Sequence, residues 1–96
     1  MSDTRDAYVE KMKAKLDEWN ADIAKLEAQA KQKEADARVS YQDQLETLKN
    51  QRNAAEEKLE KMRKGGSEAW NDLKEGLERA ADSLGEALRS AQSRFR

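Results

Sequence analysis

Val9, Met12, Leu16, Trp19, Ile23, Leu26 and Ala30 follow one another at spacings that alternate three and four. That alternation is the seam of a coiled coil. The chain contains no proline, and its first glycine is Gly65. Nothing local therefore stops a helix over residues 3–64, about 60 residues and roughly 90 Å long. A helix of that length has no core of its own, so its apolar stripe has to be buried against something else.

Charged residues make up 41% of the chain and aromatic ones 5%. Such a composition belongs to long helices or to disordered chains, and the sustained apolar period selects the helix. The charges nearly cancel, with 19 Lys and Arg against 20 Asp and Glu. No block of like charge is long enough to form a nucleic-acid arm or an acidic tail. Glu27 and Lys31, Glu34 and Arg38, Glu57 and Lys61, and Glu60 and Lys64 stand four apart with the acid first. Each such pair stiffens an exposed face by about 0.2–0.5 kcal/mol.

Asp3 and Asp6 place negative charge where the helix dipole favours it, behind candidate caps at Ser2, Asp3 and Thr4. The seam can be lettered with Val9, Leu16, Ile23, Ala30 and Ala37 at a, and Met12, Trp19, Leu26 and Lys33 at d. Between Ala28 and Ala37 large side chains give way to alanine and lysine. Beyond Ala37 the strong positions are Tyr41, Leu45, Leu48, Arg52, Ala55, Leu59 and Met62, with the register slipped by one. This stretch reads as an imperfect part of one bundle helix rather than as a dedicated hinge. Lys33 and Arg52 inside the stripe are expected to lay their stems along it and reach water.

Lys64-Gly65-Gly66-Ser67 is the clear break. Glycine suits the left-handed residue that ends a helix, Lys61, Arg63 and Lys64 complement the dipole, and Ser67 caps a second helix. The turn at 65–67 leads into an amphipathic C-terminal helix over 68–95 that is expected to fold back antiparallel. Its apolar positions read Trp70, Leu73, Leu77, Ala80, Leu84, Ala87 and Ala91, and an eleven-residue repeat also fits. Gly76 and Gly85 weaken it by about 1 kcal/mol each, so it is expected to form mainly when its apolar face is covered.

The expected architecture is all-α: a long N-terminal helix and a shorter C-terminal helix in an antiparallel hairpin, assembled as a coiled-coil oligomer. Hairpin packing falls to Leu45, Leu48, Leu59, Met62, Trp70, Leu73, Leu77 and Leu84. A helix of about 28 residues spans roughly 42 Å and reaches only the distal half of the first. Val9, Met12, Leu16, Trp19, Ile23 and Leu26 are then left wet, on the order of 10 kcal/mol of unrealised burial. They are expected to form the interface of a homo-oligomer.

Chemistry is sparse. Cysteine and histidine are absent, which removes thiolate chemistry, the commonest general base and the commonest transition-metal ligand. Asp17–Glu18 and Glu56–Glu57 are paired carboxylates, read as solvated faces rather than as an acid–base pair. Gly65-Gly66-Ser67 is too short for a phosphate loop, and no calcium-binding loop is spelled out. Trp19, Trp70, Met12 and Met62 read as packing anchors. No catalytic residue, cofactor, metal or nucleic-acid site is expected. With no apolar run behind the N-terminus and none of about 20 residues anywhere, a soluble cytoplasmic protein is the expectation. The apolar face of the C-terminal helix, ending in Arg89, Arg94, Phe95 and Arg96, keeps a membrane-surface role open as the alternative.

Residues Thr4 to Ile23, above all the Tyr8-Val9-Glu10 and Leu16-Asp17-Glu18-Trp19-Asn20 pieces, and Ala69 to Lys74 resemble a family of small bacterial coiled-coil proteins. Some of its members are labelled stress-response proteins. The C-terminal pattern is similar to those of late-embryogenesis-abundant proteins and apolipoproteins. These resemblances imply a non-enzymatic protective or scaffolding role, with a protein partner or a lipid surface as ligand and no catalytic residues to transfer.

Overall fold

Residues 3–65 and 70–94 are described by the computed structural model, and all three of their regular elements are α-helices. They are α1 (Asp3–Lys31), α2 (Ala35–Lys64) and α3 (Trp70–Arg94). The fold is all-α, but the single helix expected over 3–64 is two. The chain turns at Gln32-Lys33-Glu34, inside the stretch where the apolar pattern thins.

No local signal makes that turn. The amides of Gln32 and Lys33 bond the carbonyls of Gln29 and Ala30 at 3.1 Å each, a tightened last turn. Glu34 then leaves the helical region at φ −64° and ψ 159°, and its side chain caps nothing. The reason is tertiary. Straightening the turn would restore a few backbone hydrogen bonds, each worth about 0.5–1.5 kcal/mol net. Folding back buries the α1 seam, on the order of 10 kcal/mol. Burial wins.

Contacts between elements fix their directions. Arg5 of α1 meets Met62 of α2, while Glu27 meets Lys49, so these two helices run antiparallel. Tyr41 of α2 meets Arg94 of α3, and Lys58 lies against Gly76, so the next pair is antiparallel as well. Tyr8 reaches Trp70 and Glu78, and Trp19 lies over Gly85, which sets α1 parallel to α3. The result is a rod of 51 × 18 × 17 Å, one helix long and three helices around.

One core runs its length, with five buried apolar residues from each helix. These are Met12, Leu16, Ile23, Leu26 and Ala30 of α1, then Leu45, Leu48, Ala55, Leu59 and Met62 of α2. Leu77, Ala81, Leu84, Leu88 and Ala91 complete it from α3. Spacings of three and four hold throughout α3, so the seven-residue repeat rather than the eleven-residue one describes its buried face. That face is centred one position beyond the expected one: Ala81 and Leu88 are buried, whereas Ala80 and Ala87 sit at its edge. Ala37, expected on the seam, is exposed.

Gly65 ends α2 without a left-handed backbone, at φ −78° and ψ 162°. Its amide bonds the Lys61 carbonyl at 2.8 Å, and a Cβ at this position would lie 2.8 Å from that oxygen. Close approach, not conformation, is what glycine supplies here. The expected turn residues Gly66 and Ser67, the helix start at Glu68 and Ala69, and Phe95 and Arg96 lie outside the described residues.

Candidate interaction surface

The six residues expected at an oligomer interface lie within the bundle instead. Met12, Leu16, Ile23 and Leu26 are 2–4% exposed, covered by α2 and α3 of the same chain. Val9 and Trp19 are half-buried against the same cluster, with the Trp19 ring 3.7 Å from where a Gly85 Cβ would stand. The premise of an uncovered stripe fails, because the turn at 32–34 lets α2 and α3 lie along the whole of α1. Of the residues expected in hairpin packing, Leu45, Leu48, Leu59, Met62, Leu77 and Leu84 are buried, while Trp70 and Leu73 are half-buried beside them. Trp70 reaches α1: its ring meets Tyr8 edge to face, with centroids 5.8 Å apart.

At the end of the rod where α1 begins, these contacts form a clasp. Arg5 is 8% exposed, and its guanidinium donates to the Met62 carbonyl at 2.6 Å and to the Gly65 carbonyl. Those oxygens belong to the last turn and cap of α2, where carbonyls lack helical partners and cations are favoured. One turn on, the Lys74 ammonium lies 5.2 Å from the centres of both the Tyr8 and Trp70 rings. Each such contact is worth about 0.5–1 kcal/mol where solvent reaches it. The Tyr8 hydroxyl donates to Glu78 at 3.3 Å. Burial, reinforced by the charge and hydrogen bond of Glu78, pushes that hydroxyl up to about 12. Sequence reasoning misses Arg5, although it stands seven residues before Met12 and so continues the d position of the seam.

Several grooves flank the core, and two of them exceed about 300 Å³. One, of about 310 Å³, lies between the end of α1 and the start of α2, among Glu27, Lys31, Arg38, Gln42, Glu46 and Lys49. Glu27 spans it to Lys49 at 2.5 Å instead of pairing with Lys31. The hydrogen bond from Lys49 holds the Glu27 carboxyl below the usual range; the charges of Lys49, Lys31 and Arg52 act in the same direction. The other, of about 370 Å³, opens between α1 and α3 among Lys15, Trp19, Asp82, Gly85, Glu86 and Arg89. Both are lined with charges of both signs.

Among the described residues the remaining surface is mostly polar. Lys61 bridges Glu57 at 3.5 Å, and Lys64 bridges Glu60 at 3.5 Å, as the spacing implies. Arg38 instead donates to the Lys33 carbonyl at 2.9 Å. Lys33 holds its ammonium 5.8 Å from the Tyr41 ring, and Arg52 bridges Glu56 at 3.6 Å. The carboxylates of Asp17, Glu18, Glu56 and Glu57 are exposed. No group of three metal-ligating side chains occurs among the described residues, and no described helix is long and apolar enough to cross a membrane. No protein-family model, curated protein or solved structure matches the chain.

Proposed function

We propose that this protein is a non-enzymatic helical interaction module, a short rigid rod that offers charged faces and charged grooves to a protein partner. The carrying observation is how its apolar residues are distributed. Among the described residues the large apolar side chains converge on one core, and Val39, at 61%, is the large hydrophobic left exposed. A surface of that kind recognises partners by charge and shape and holds them reversibly. The resemblance to small bacterial coiled-coil proteins supports a protective or scaffolding role for such a module.

The membrane-surface reading rests on the apolar face of α3. Leu77 and Leu84 on that face are fully covered by the bundle, so a lipid would have to displace α1 and α2 to reach them. The protein-partner reading is therefore preferred. Phosphatidylglycerol vesicles separate the two through flotation and tryptophan emission, since Trp19 and Trp70 both touch α1–α3 contacts. Salt-sensitive capture of a discrete protein from lysate, with no flotation and unchanged emission, supports the module. Flotation with a blue shift would transfer the assignment to lipid.

A further inference from the structure

The two connections of this bundle are of different kinds. At the α2–α3 connection the chain carries glycine, and a side chain at Gly65 would collide with the backbone. At the α1–α2 connection stand Gln32, Lys33 and Glu34, all good helix formers. No described residue there has positive φ, the Glu34 side chain makes no cap, and Arg38 holds the turn from an exposed position. What bends the chain here is the burial of α1 against α2 and α3. That burial does not require α1 to come from the same chain.

We infer that two copies of this chain exchange α1, the turn at 32–34 straightening so that residues 3–64 form one helix in each. Each α1 then docks on the α2–α3 pair of the second copy. Every contact of α1, the Arg5 clasp included, is re-formed between chains while α2 and α3 keep theirs within one, so the exchange trades one uncapped turn for an extra helical segment. A second observation locates the axis. The midpoints of paired positions, Arg5 with Met62 and Glu27 with Lys49, fall between residues 33 and 38. The exposed Ala35, Ala37 and Val39 stand in or beside that interval. Two helices crossing there would cover the exposed apolar residue that the closed bundle leaves in water.

The geometry of Glu34 supplies a clean test. Its ψ of 159° is the conformation that a following proline demands, and Ala35 is the first residue of α2. Ala35→Pro is thus compatible with the closed bundle but would interrupt the continuous helix. The unmodified protein, refolded at millimolar concentration, is expected to give a species of twice 11.0 kDa by light scattering. Ala35→Pro should stay monomeric with unchanged helicity, its dimer fraction at least about tenfold lower. Should that variant fold poorly, Lys33→Ala with Glu34→Ala gives the opposite arm and should raise the dimer fraction. Spin labels at Ala14→Cys and Glu57→Cys of one chain, diluted with unlabelled protein, read the exchange directly. In the exchanged dimer they lie about 65 Å apart along one helix, against neighbouring axes 8–10 Å apart in the closed bundle. A protein that remains monomeric after refolding, a dimer that survives Ala35→Pro, or a dimer whose labels stay close would each overturn the exchange.

Discussion

The two ends of the rod are held together by different physics. Where α1 begins, a buried guanidinium closes the last turn of α2, and a lysine sits between two aromatic rings that join α1 to α3. Where α1 ends, the chain turns through three polar residues with no side-chain cap. Tyr41 reaches the Arg94 carbonyl at 3.3 Å, and Ala35, Ala37 and Val39 face solvent. The first end is specified by directional contacts among particular side chains. The second has its own contacts, Arg38 on the Lys33 carbonyl and Lys33 over the Tyr41 ring, but they are more exposed, and it rests chiefly on the core behind it. Local chemistry can therefore be removed at the second end with little loss, while at the first the same kind of change is costly.

Truncation of the core beside the clasp tests this most severely. Met62 is fully buried, and Met62→Ala should cost about 2–5 kcal/mol in urea unfolding. Val39→Ala, at the opposite end, should fall within about 0.5 kcal/mol of the unmodified protein. Equal losses would erase the contrast.

Arg5 comes next. Its removal leaves two carbonyls at the end of α2 without their charged donor, and bonds to charged groups are worth about 1.5–3 kcal/mol. Arg5→Ala should lose that much, and Arg5→Lys should recover only part, since a single ammonium does not reproduce the guanidinium fork. Full rescue by lysine would show that charge alone matters there.

A smaller effect is expected from alkali. Tyr8 ionises near 12 in the folded chain against an ordinary value of 10.0. Folding thus favours the neutral phenol, so its contribution is complete below pH 10 and drains away between pH 10 and 12. Absorbance at the phenolate band should show one tyrosine titrating late, and Tyr8→Phe should abolish that late step. Titration of Tyr8 at its ordinary value of 10.0 would place it in water. Smallest of all is the pair across the α1–α2 groove: Glu27→Gln should cost no more than about 0.2–1 kcal/mol, less in high salt.

Periodicity made the helical class legible, because alternation of three and four survives any choice of partner. It did not make the turn at 32–34 legible. A turn without glycine, proline or a cap leaves no local trace, and only the thinning from Ala28 to Ala37 marked the place. One error grew from that omission, a second helix too short for an uninterrupted first one, and with it fell the premise that the seam is left wet within one chain. Arg5 was hidden for a related reason. A cation at the start of a helix looks solvated until the fold brings the end of another helix beside it. Glu27 likewise had a sequence neighbour at Lys31 and a nearer one at Lys49 that only the turn reveals. In α3, alanine at both 80 and 81 and apolar side chains at both 87 and 88 left the centre of the stripe ambiguous by one position, which packing decided.

Small-angle X-ray scattering of the dilute protein at monomeric mass tests most directly whether α1 is covered by its own chain. The Cα atoms of the bundle extend 51 Å with a radius of gyration of 15.4 Å, so a compact particle only modestly larger than these values is expected. A particle of monomeric mass extending to about 90 Å, the span of an unbroken helix over residues 3–64, would contradict it.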